Sequence, residues 1–321
     1  MRESDLWPPL REYWHPVAFA EDVGDKPLAV KLLDEQIVVC RLAGRVAAFR
    51  DLCIHRGTPL SLGWVERENI VCAYHGWAYE ASGKCIRIPS IPPEHPIPKK
   101  ACLTAYHAQE RYGVVWVCMG DEPQAPIPEI STLDDANFRV DVRNGRLWKC
   151  SAARAIENFI DLGHLPWIHE GILGTRDNPL TPVVNVERVD EEIRFSVEGI
   201  EDRTREAGSY KRVFRIFRPF TIYLSKVEHD GKTEVMYFAC TPHTAKECTR
   251  LFMIARNYEI AQGGSKVEDL GELIIEQDRK IVENQRPEEL PLDLTEELHI
   301  KGPDAPALAY RRMMREIGIE A

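Results

Sequence analysis

The sequence predicts an α+β protein in two parts, an N-terminal all-β domain followed by an antiparallel sheet with helices packed against it. Three observations carry that prediction. Short apolar runs broken by turn residues dominate the first part, a Pro-rich segment from Asp121 to Ile130 interrupts them, and strand-like runs then alternate with segments of helical spacing. The domains are accordingly placed at residues 1–120, with a short N-terminal extension, and 131–321, joined by a linker at 121–130.

In the first part, Leu28 to Leu33, Ile37 to Leu42 and Val46 to Phe49 are separated by Asp34-Glu35 and Ala43-Gly44, the pattern of consecutive hairpins. The run Gly113 to Met119 closes this region, and Pro89 to Pro98 reads as a long loop. In the second part, Ser151 to His164 has helical character stopped by Pro166. Val183 to Val197 alternates around an Asp190-Glu191-Glu192 turn, and strands are expected at Val213 to Val227, Val235 to Cys240 and Arg250 to Ile254. A helix from Lys266 to about Asn284 and a short one near Ala307 to Ile317 complete the chain, which has no internal repeats.

Composition narrows the function classes. The chain has 321 residues, of which 44% are hydrophobic, enough for two cores. A net charge of -10 argues against a nucleic-acid surface. Apolar runs are too short for a membrane span, and the start Met-Arg-Glu-Ser-Asp lacks a signal-peptide core, so a cytoplasmic location is expected. Nine cysteines suit a reducing compartment, with thiols serving metals or packing.

The chemistry is concentrated in two short clusters, Cys53-Ile54-His55 and Cys72-Ala73-Tyr74-His75. Two thiolates and two imidazoles are the donor set of a [2Fe-2S] centre in which histidines replace two cysteines on one iron. Gly57, Gly63 and Gly76 flank the loops, and Trp77 is placed to exclude solvent. A structural zinc site is the rival, but its usual C-x2-C and H-x3-5-H spacings are absent.

A second constellation lies in Glu157 to His169. Helical spacing puts Glu157, Asp161 and His164 on one face, with His169 past the proline. Two imidazoles there suit a mononuclear iron if a carboxylate completes the set; an isolated H-x4-H is more often two ordinary histidines. On the helix from Lys266, positions Val267, Leu270, Ile274, Asp278 and Ile281 recur at spacings of three and four. An aspartate on an otherwise aliphatic stripe needs a metal or a cation partner, since burying it alone is costly.

Taken together, Cys53-Ile54-His55-Arg56-Gly57-Thr58-Pro59-Leu60-Ser61-Leu62-Gly63 and Cys72-Ala73-Tyr74-His75-Gly76-Trp77 resemble the Rieske family, in its oxygenase branch. The respiratory branch has two further cysteines bridged over the cluster, where this chain has Thr58 and Tyr74. The string Asn158-x2-Asp161-x2-His164-x4-His169, with Glu276-Gln277-Asp278 downstream, resembles the catalytic domain of the same family. The resemblance implies an N-terminal Rieske [2Fe-2S] domain and a helix-grip type catalytic domain. It assigns Cys53, His55, Cys72 and His75 to the cluster, His164, His169 and Asp278 to a mononuclear Fe(II), and Asn158 to a place beside that iron.

The resemblance further implies that Asp161 bridges His164 to a cluster histidine, His75, of a neighbouring subunit, and hence a homotrimer. A separate reductase or ferredoxin would supply electrons, because no nicotinamide or flavin fingerprint is visible and NAD(P)H is used only indirectly. The compact chain, Tyr106 to Gly113 and the ending Leu308-Ala309-Tyr310-Arg311-Arg312 look like homotrimeric monooxygenases such as vanillate-type O-demethylases and saxitoxin-pathway hydroxylases. The expected activity is therefore monooxygenation of a small aromatic or heterocyclic substrate by O2, as hydroxylation or oxidative demethylation. The alternatives are a cis-dihydroxylating ring dioxygenase, an electron-transfer protein carrying the cluster alone, or a zinc-stabilised binding module. Candidate pocket walls are the Phe214 to Tyr223 and Tyr237 to Met253 regions.

Overall fold

A computed structural model describes residues 1–198, 210–260 and 266–317. It divides into two compact units, Arg11–Ile127 and the remainder, Met1–Leu10 with Pro128 onward. The first ten residues thus belong to the C-terminal unit, where residues 1–120 were expected to form one domain. The reason is local: the Met1 carbonyl accepts from Leu292 N–H, Ser4 Oγ donates to Glu289, and Glu3 Oε2 accepts the Ala153 N–H at 3.0 Å.

In the Arg11–Ile127 unit a six-stranded antiparallel sheet runs in the order His15–Phe19, Val114–Cys118, Ala105–Arg111, Arg45–Arg50, Glu35–Leu42, Leu28–Leu32. Leu33 and Asp34 take positive φ, as do Ala43 and Gly44, so both hairpins close with two left-handed residues that match the strand twist. A second sheet of four short strands, Trp64–Glu66, Asn69–Val71, Ala78–Tyr79 and Cys85–Arg87, carries the cluster loops. Strands this short give little periodicity, and the sequence reading did not separate them. Val38, Phe49, Leu60, Ile70 and Tyr79 belong to the core beneath those loops.

In the C-terminal unit seven antiparallel strands run in the order Arg139–Trp148, Glu247–Arg256, Thr233–Thr244, Thr221–Glu228, Tyr210–Phe217, Glu192–Glu198, Glu187–Val189. The expected single run Val213 to Val227 is two strands turned at Arg218-Pro219-Phe220. The edge strand Arg139–Trp148 escaped sequence reading because charged residues interrupt it and its register shifts between Arg143 and Arg146. Helices Ala152–Ile160, Lys266–Val282 and Ala305–Ile317 complete the unit, the first packing on the sheet and on the other two.

The Ala152–Ile160 helix buries Ala152, Ala153, Ala155, Ile156 and Ile160, and Ser151 caps it by accepting the Arg154 N–H. Its Glu157 meets Arg311 through two hydrogen bonds of 2.6 Å, and Arg311 and Arg154 both hold Glu297. Glu157 therefore faces a structural ion network. No helix among the described residues is long and apolar enough to cross a membrane.

Glu3 is fully buried beside the N-terminus of that helix. Burial raises its carboxyl to about 7, outweighing Ser151 and the Ala153 N–H, which favour the anion. The folded state then binds this proton more tightly than the unfolded chain. Its stabilising effect is complete below the ordinary carboxylate range near 4.5 and is lost as pH rises through about 7. Glu3→Gln is expected to flatten the denaturant midpoint between pH 5 and 8 and to stabilise the protein at the alkaline end by on the order of 3 kcal/mol. An unchanged pH profile would contradict this.

Candidate functional site

The two cluster loops are built alike. Cys53 N–H donates to Thr58 O and Gly57 N–H to Cys53 O; Cys72 N–H donates to Trp77 O and Gly76 N–H to Cys72 O, all at 2.8–3.0 Å. Each loop thus closes over a glycine four residues after its cysteine, Gly57 at φ 70° and Gly76 at φ 67°, a conformation other residues rarely adopt. The effect is to bury Cys53 and Cys72 while bringing the His55 and His75 rings to 4.6 Å.

Trp77 stacks on His55 at 4.5 Å and 7°, and His75 stays exposed at the tip. His55 Nδ1 is buried and has no hydrogen-bond partner. Partial desolvation, His75 and Arg56 hold this imidazole below its usual range, so it presents a neutral nitrogen. Burial pushes the Cys72 thiol up, while the N–H groups of Tyr74 and His75 act the other way and favour a thiolate. Two sulfurs, one orphaned nitrogen and one exposed imidazole fit an iron-sulfur cluster.

Tyr79, which the sequence reading overlooked, is fully buried with its hydroxyl 3.1 Å from Cys53 Sγ. A hydrogen bond to a cluster sulfur stabilises the reduced, more negative state. Tyr79→Phe is expected to lower the cluster's midpoint potential without loss of iron, measured by a redox titration followed by EPR; an unmoved midpoint would remove this role.

In the C-terminal unit, His164, His169 and Asp278 offer ligand atoms all within 4.8 Å of one another. The helix does not run to His164 as expected. It ends at Ile160, and Asp161 takes extended backbone angles, so that its carboxylate accepts the N–H groups of Gly163 and His164. Pro166 then opens a short helix, Leu165–Ile168, instead of stopping the first. This turn aims His164 and His169 inward.

Asp161 Oδ2 also lies 3.0 Å from His164 Nδ1, and Gln277 Oε1 lies 2.9 Å from His169 Nδ1. Both oxygens are acceptors, so each imidazole carries its proton on Nδ1 and presents the Nε2 lone pair. Those Nε2 atoms sit 3.3 and 3.0 Å from Asp278 Oδ1. His169 Nε2 and Asp278 Oδ1 are buried without a hydrogen bond. Three electron-pair donors converging on one point require a cation there. Burial pulls the His164 imidazole down, but Asp161 and Asp278 favour positive charge at this point and outweigh it, raising it to about 9. The donor set, two imidazoles and a carboxylate, fits a mononuclear iron.

Asp278 projects from the expected helix, but the buried stripe is rotated from the one read in the sequence. Ile275, Asp278 and Val282 are buried while Ile281 is 46% exposed; the side chains of Val267 and Leu270 lie outside the described residues. Asn158 is half-buried on the last helical turn, its carbonyl accepting the Asp161 N–H, and the structure does not bring it into the cavity; Phe159 lines it instead.

The three donors open into a cleft enclosing about 870 Å³, solvent at its mouth included. Phe159, Leu173, Phe214, Leu224, Met236, Phe252, Ile254 and Ile274 supply its apolar wall. Tyr237 and Met253, inside the expected wall regions, are core residues on the opposite face of their strands.

Comparison with known proteins agrees with this architecture. Residues 13–107 match the Rieske [2Fe-2S] domain and residues 148–318 the vanillate O-demethylase oxygenase C-terminal domain. Methylxanthine N1-demethylase NdmA of Pseudomonas putida is 30% identical, covering 96% of this chain and 89% of that one. Methylxanthine N3-demethylase NdmB of the same organism is 28% identical over 97% and 90%. The structure of Pseudomonas putida CBB5 NdmA with caffeine superposes with a TM-score of 0.89 over 97% of this chain and 92% of that one, at 30% identity. Dicamba monooxygenase bound to dicamba, at 21% identity and a TM-score of 0.81, shares the fold. The chain belongs to the Rieske non-heme iron oxygenases. Its cofactors are a [2Fe-2S] cluster and a mononuclear iron.

Proposed function

We propose that this chain is the terminal oxygenase subunit of a demethylase acting on a small aromatic or heterocyclic O- or N-methyl compound. The observation that carries this reading is the convergence of His164, His169 and Asp278 at the wall of an apolar cleft. Cys53, His55, Cys72 and His75 would hold the cluster, and the three converging side chains the iron. When bound, ferrous iron on one carboxylate and two neutral imidazoles supplies open positions for O2 and its reductive activation.

The chain's own residues do the rest. Asp161 and Gln277 fix the two imidazole tautomers, and the apolar wall holds the methyl group near the donors while limiting water. For a methyl ether the balance is R–OCH3 + O2 + 2e⁻ + 2H⁺ → R–OH + CH2O + H2O. One oxygen atom enters a methyl C–H bond to give a hemiacetal, which expels formaldehyde, and an N-methyl group gives the hemiaminal equivalent. The electrons come from an external reductase or ferredoxin.

By resemblance, the electron leaves through His75 to Asp161 and His164 of a neighbouring copy in a trimer. The exposed His75 tip supports this, as do the exposed apolar residues Leu52, Ile54, Leu62, Trp64 and Tyr74 in or beside the loops. The cysteines are all free thiols, as suits a cytoplasmic setting.

The test is iron and acid-labile sulfide analysis with EPR of the reduced protein, followed by a substrate screen with a surrogate reductase that reads formaldehyde and hydroxylated product separately. Iron beyond the cluster's share and formaldehyde in step with O2 consumption are expected. Cluster iron alone would leave only an electron-transfer protein, and a cis-diol product would make it a dioxygenase.

A further inference from the structure

The two imidazoles at the iron site are held by unlike partners. Asp161 accepts from His164 Nδ1 while its carboxylate also takes the Gly163 and His164 N–H groups, so three hydrogen bonds fix its orientation. An ionised carboxylate only accepts. Gln277 holds His169 with a carboxamide, Oε1 at 2.9 Å from Nδ1, and among the described residues that amide makes no other hydrogen bond. Turned by half a rotation, a carboxamide offers its NH2 group in the same place.

His169 is bracketed by two neighbours on one helix. Gln277 faces its Nδ1, and Asp278 Oδ1 lies 3.0 Å from its Nε2, an ordinary N–H···O hydrogen-bond length. His169 is 1% exposed, so both ring nitrogens need partners inside the protein. Two complete arrangements satisfy these atoms. In one, Nδ1–H donates to Gln277 Oε1 and the Nε2 lone pair meets a cation. In the other, Nε2–H donates to Asp278 Oδ1 and the Gln277 NH2 donates to Nδ1. The exchange moves one proton between the two nitrogens of the ring and turns one amide, with no change of charge. His164 has no counterpart of the second arrangement, because both oxygens facing its ring belong to carboxylates.

Resting on the assignment of His164, His169 and Asp278 to the iron, we propose that Gln277 is a positioning residue with two settings: acceptor to His169 when metal is bound, donor to it in the metal-free protein. The second setting leaves His169 and Asp278 hydrogen-bonded to each other, so the site stays formed for iron to enter. A carboxylate in place of Gln277 would have the first setting only.

The experiment is histidine-selective 15N NMR of the full chain with its cluster retained and oxidised, first with the mononuclear site emptied by chelation and then with that site refilled by zinc. The His169 proton is expected on Nε2 in the metal-free form and on Nδ1 in the zinc form, while His164 keeps Nδ1 protonated in both and serves as the internal control. In Gln277→Glu, His169 Nδ1 should stay protonated throughout. Gln277→Met, which offers no comparable acceptor or donor, should weaken iron binding about 10–100-fold, the usual cost of losing the outer partner of a metal-ligating histidine, and Gln277→Glu should restore it. A wild-type His169 proton on Nδ1 in both forms, or iron affinity untouched in a folded Gln277→Met protein, overturns the proposal. The wild-type spectra decide the matter even if a variant fails to fold. Failure of zinc to bind would remove the three-ligand assignment and the proposal with it, whereas zinc bound with an unchanged His169 tautomer would leave that assignment standing and remove only the amide exchange.

Discussion

Asp278→Ala is expected to lose the mononuclear iron, keep the EPR signal of the reduced cluster and reduce formaldehyde release to background. The carboxylate is the one anionic donor among the three, and its Oδ1 faces both histidine Nε2 atoms. Removing merely an outer hydrogen-bond partner of a metal ligand costs about 10–100-fold in affinity, so deleting a ligand itself should exceed that. The fold should survive. The variant relieves a buried carboxylate, and Ile275 and Val282 on the same helix face keep their contacts. Asp278→Asn separates charge from shape, since the amide fills the same space with a weaker donor. The measurement is iron content after gel filtration, with EPR and circular dichroism. Full iron content with retained turnover in Asp278→Ala would dismiss this residue as a ligand.

The parts of the molecule that were legible in its sequence are those fixed by short-range chemistry. Cys53, His55, Cys72 and His75 could be read because each loop is six residues long and closes on itself, so spacing alone determines geometry. The mononuclear site was legible for a different reason: an aspartate recurring with aliphatic residues on one helix stands out energetically before any partner is known. What failed was the description of the chain between donors. Asp161 breaks the helix by capping Gly163 and His164 with its own carboxylate, a choice that periodicity cannot show because Asp at that position is also compatible with one more helical turn.

Gln277 was invisible as a functional residue because its role exists only once His169, 108 positions away in sequence, is brought against it. The sole signal was its place beside Asp278. Asn158, read as a site residue from its motif position, does not line the cleft, whereas Phe159 on the same helical turn does.

Asp161→Ala is expected to leave the protein folded and both iron centres assembled at saturating iron, yet to abolish coupled turnover. Asp161 touches no metal donor position itself; it accepts from His164 Nδ1 and from two backbone N–H groups that shape the turn. Burial would raise its carboxyl, but those hydrogen bonds and the His164 charge hold it below the ordinary carboxylate range, so it is an anion at neutral pH. Its side chain remains 36% exposed. Loss of the hydrogen bond alone predicts about 10–100-fold weaker iron binding, which excess iron restores.

Loss of the electron path through the carboxylate predicts something different: normal iron and cluster signals, a cluster reduced by its donor at the usual rate, and no reoxidation when substrate and O2 are added. Asp161→Asn divides the two roles. Its amide oxygen can still accept from the His164 ring and N–H while the Gly163 N–H loses its acceptor, so a folded variant that binds iron normally but turns over slowly assigns the defect to the missing anion. Stopped-flow reoxidation of the reduced cluster is the measurement, and wild-type rates in Asp161→Ala would remove the bridge from the mechanism.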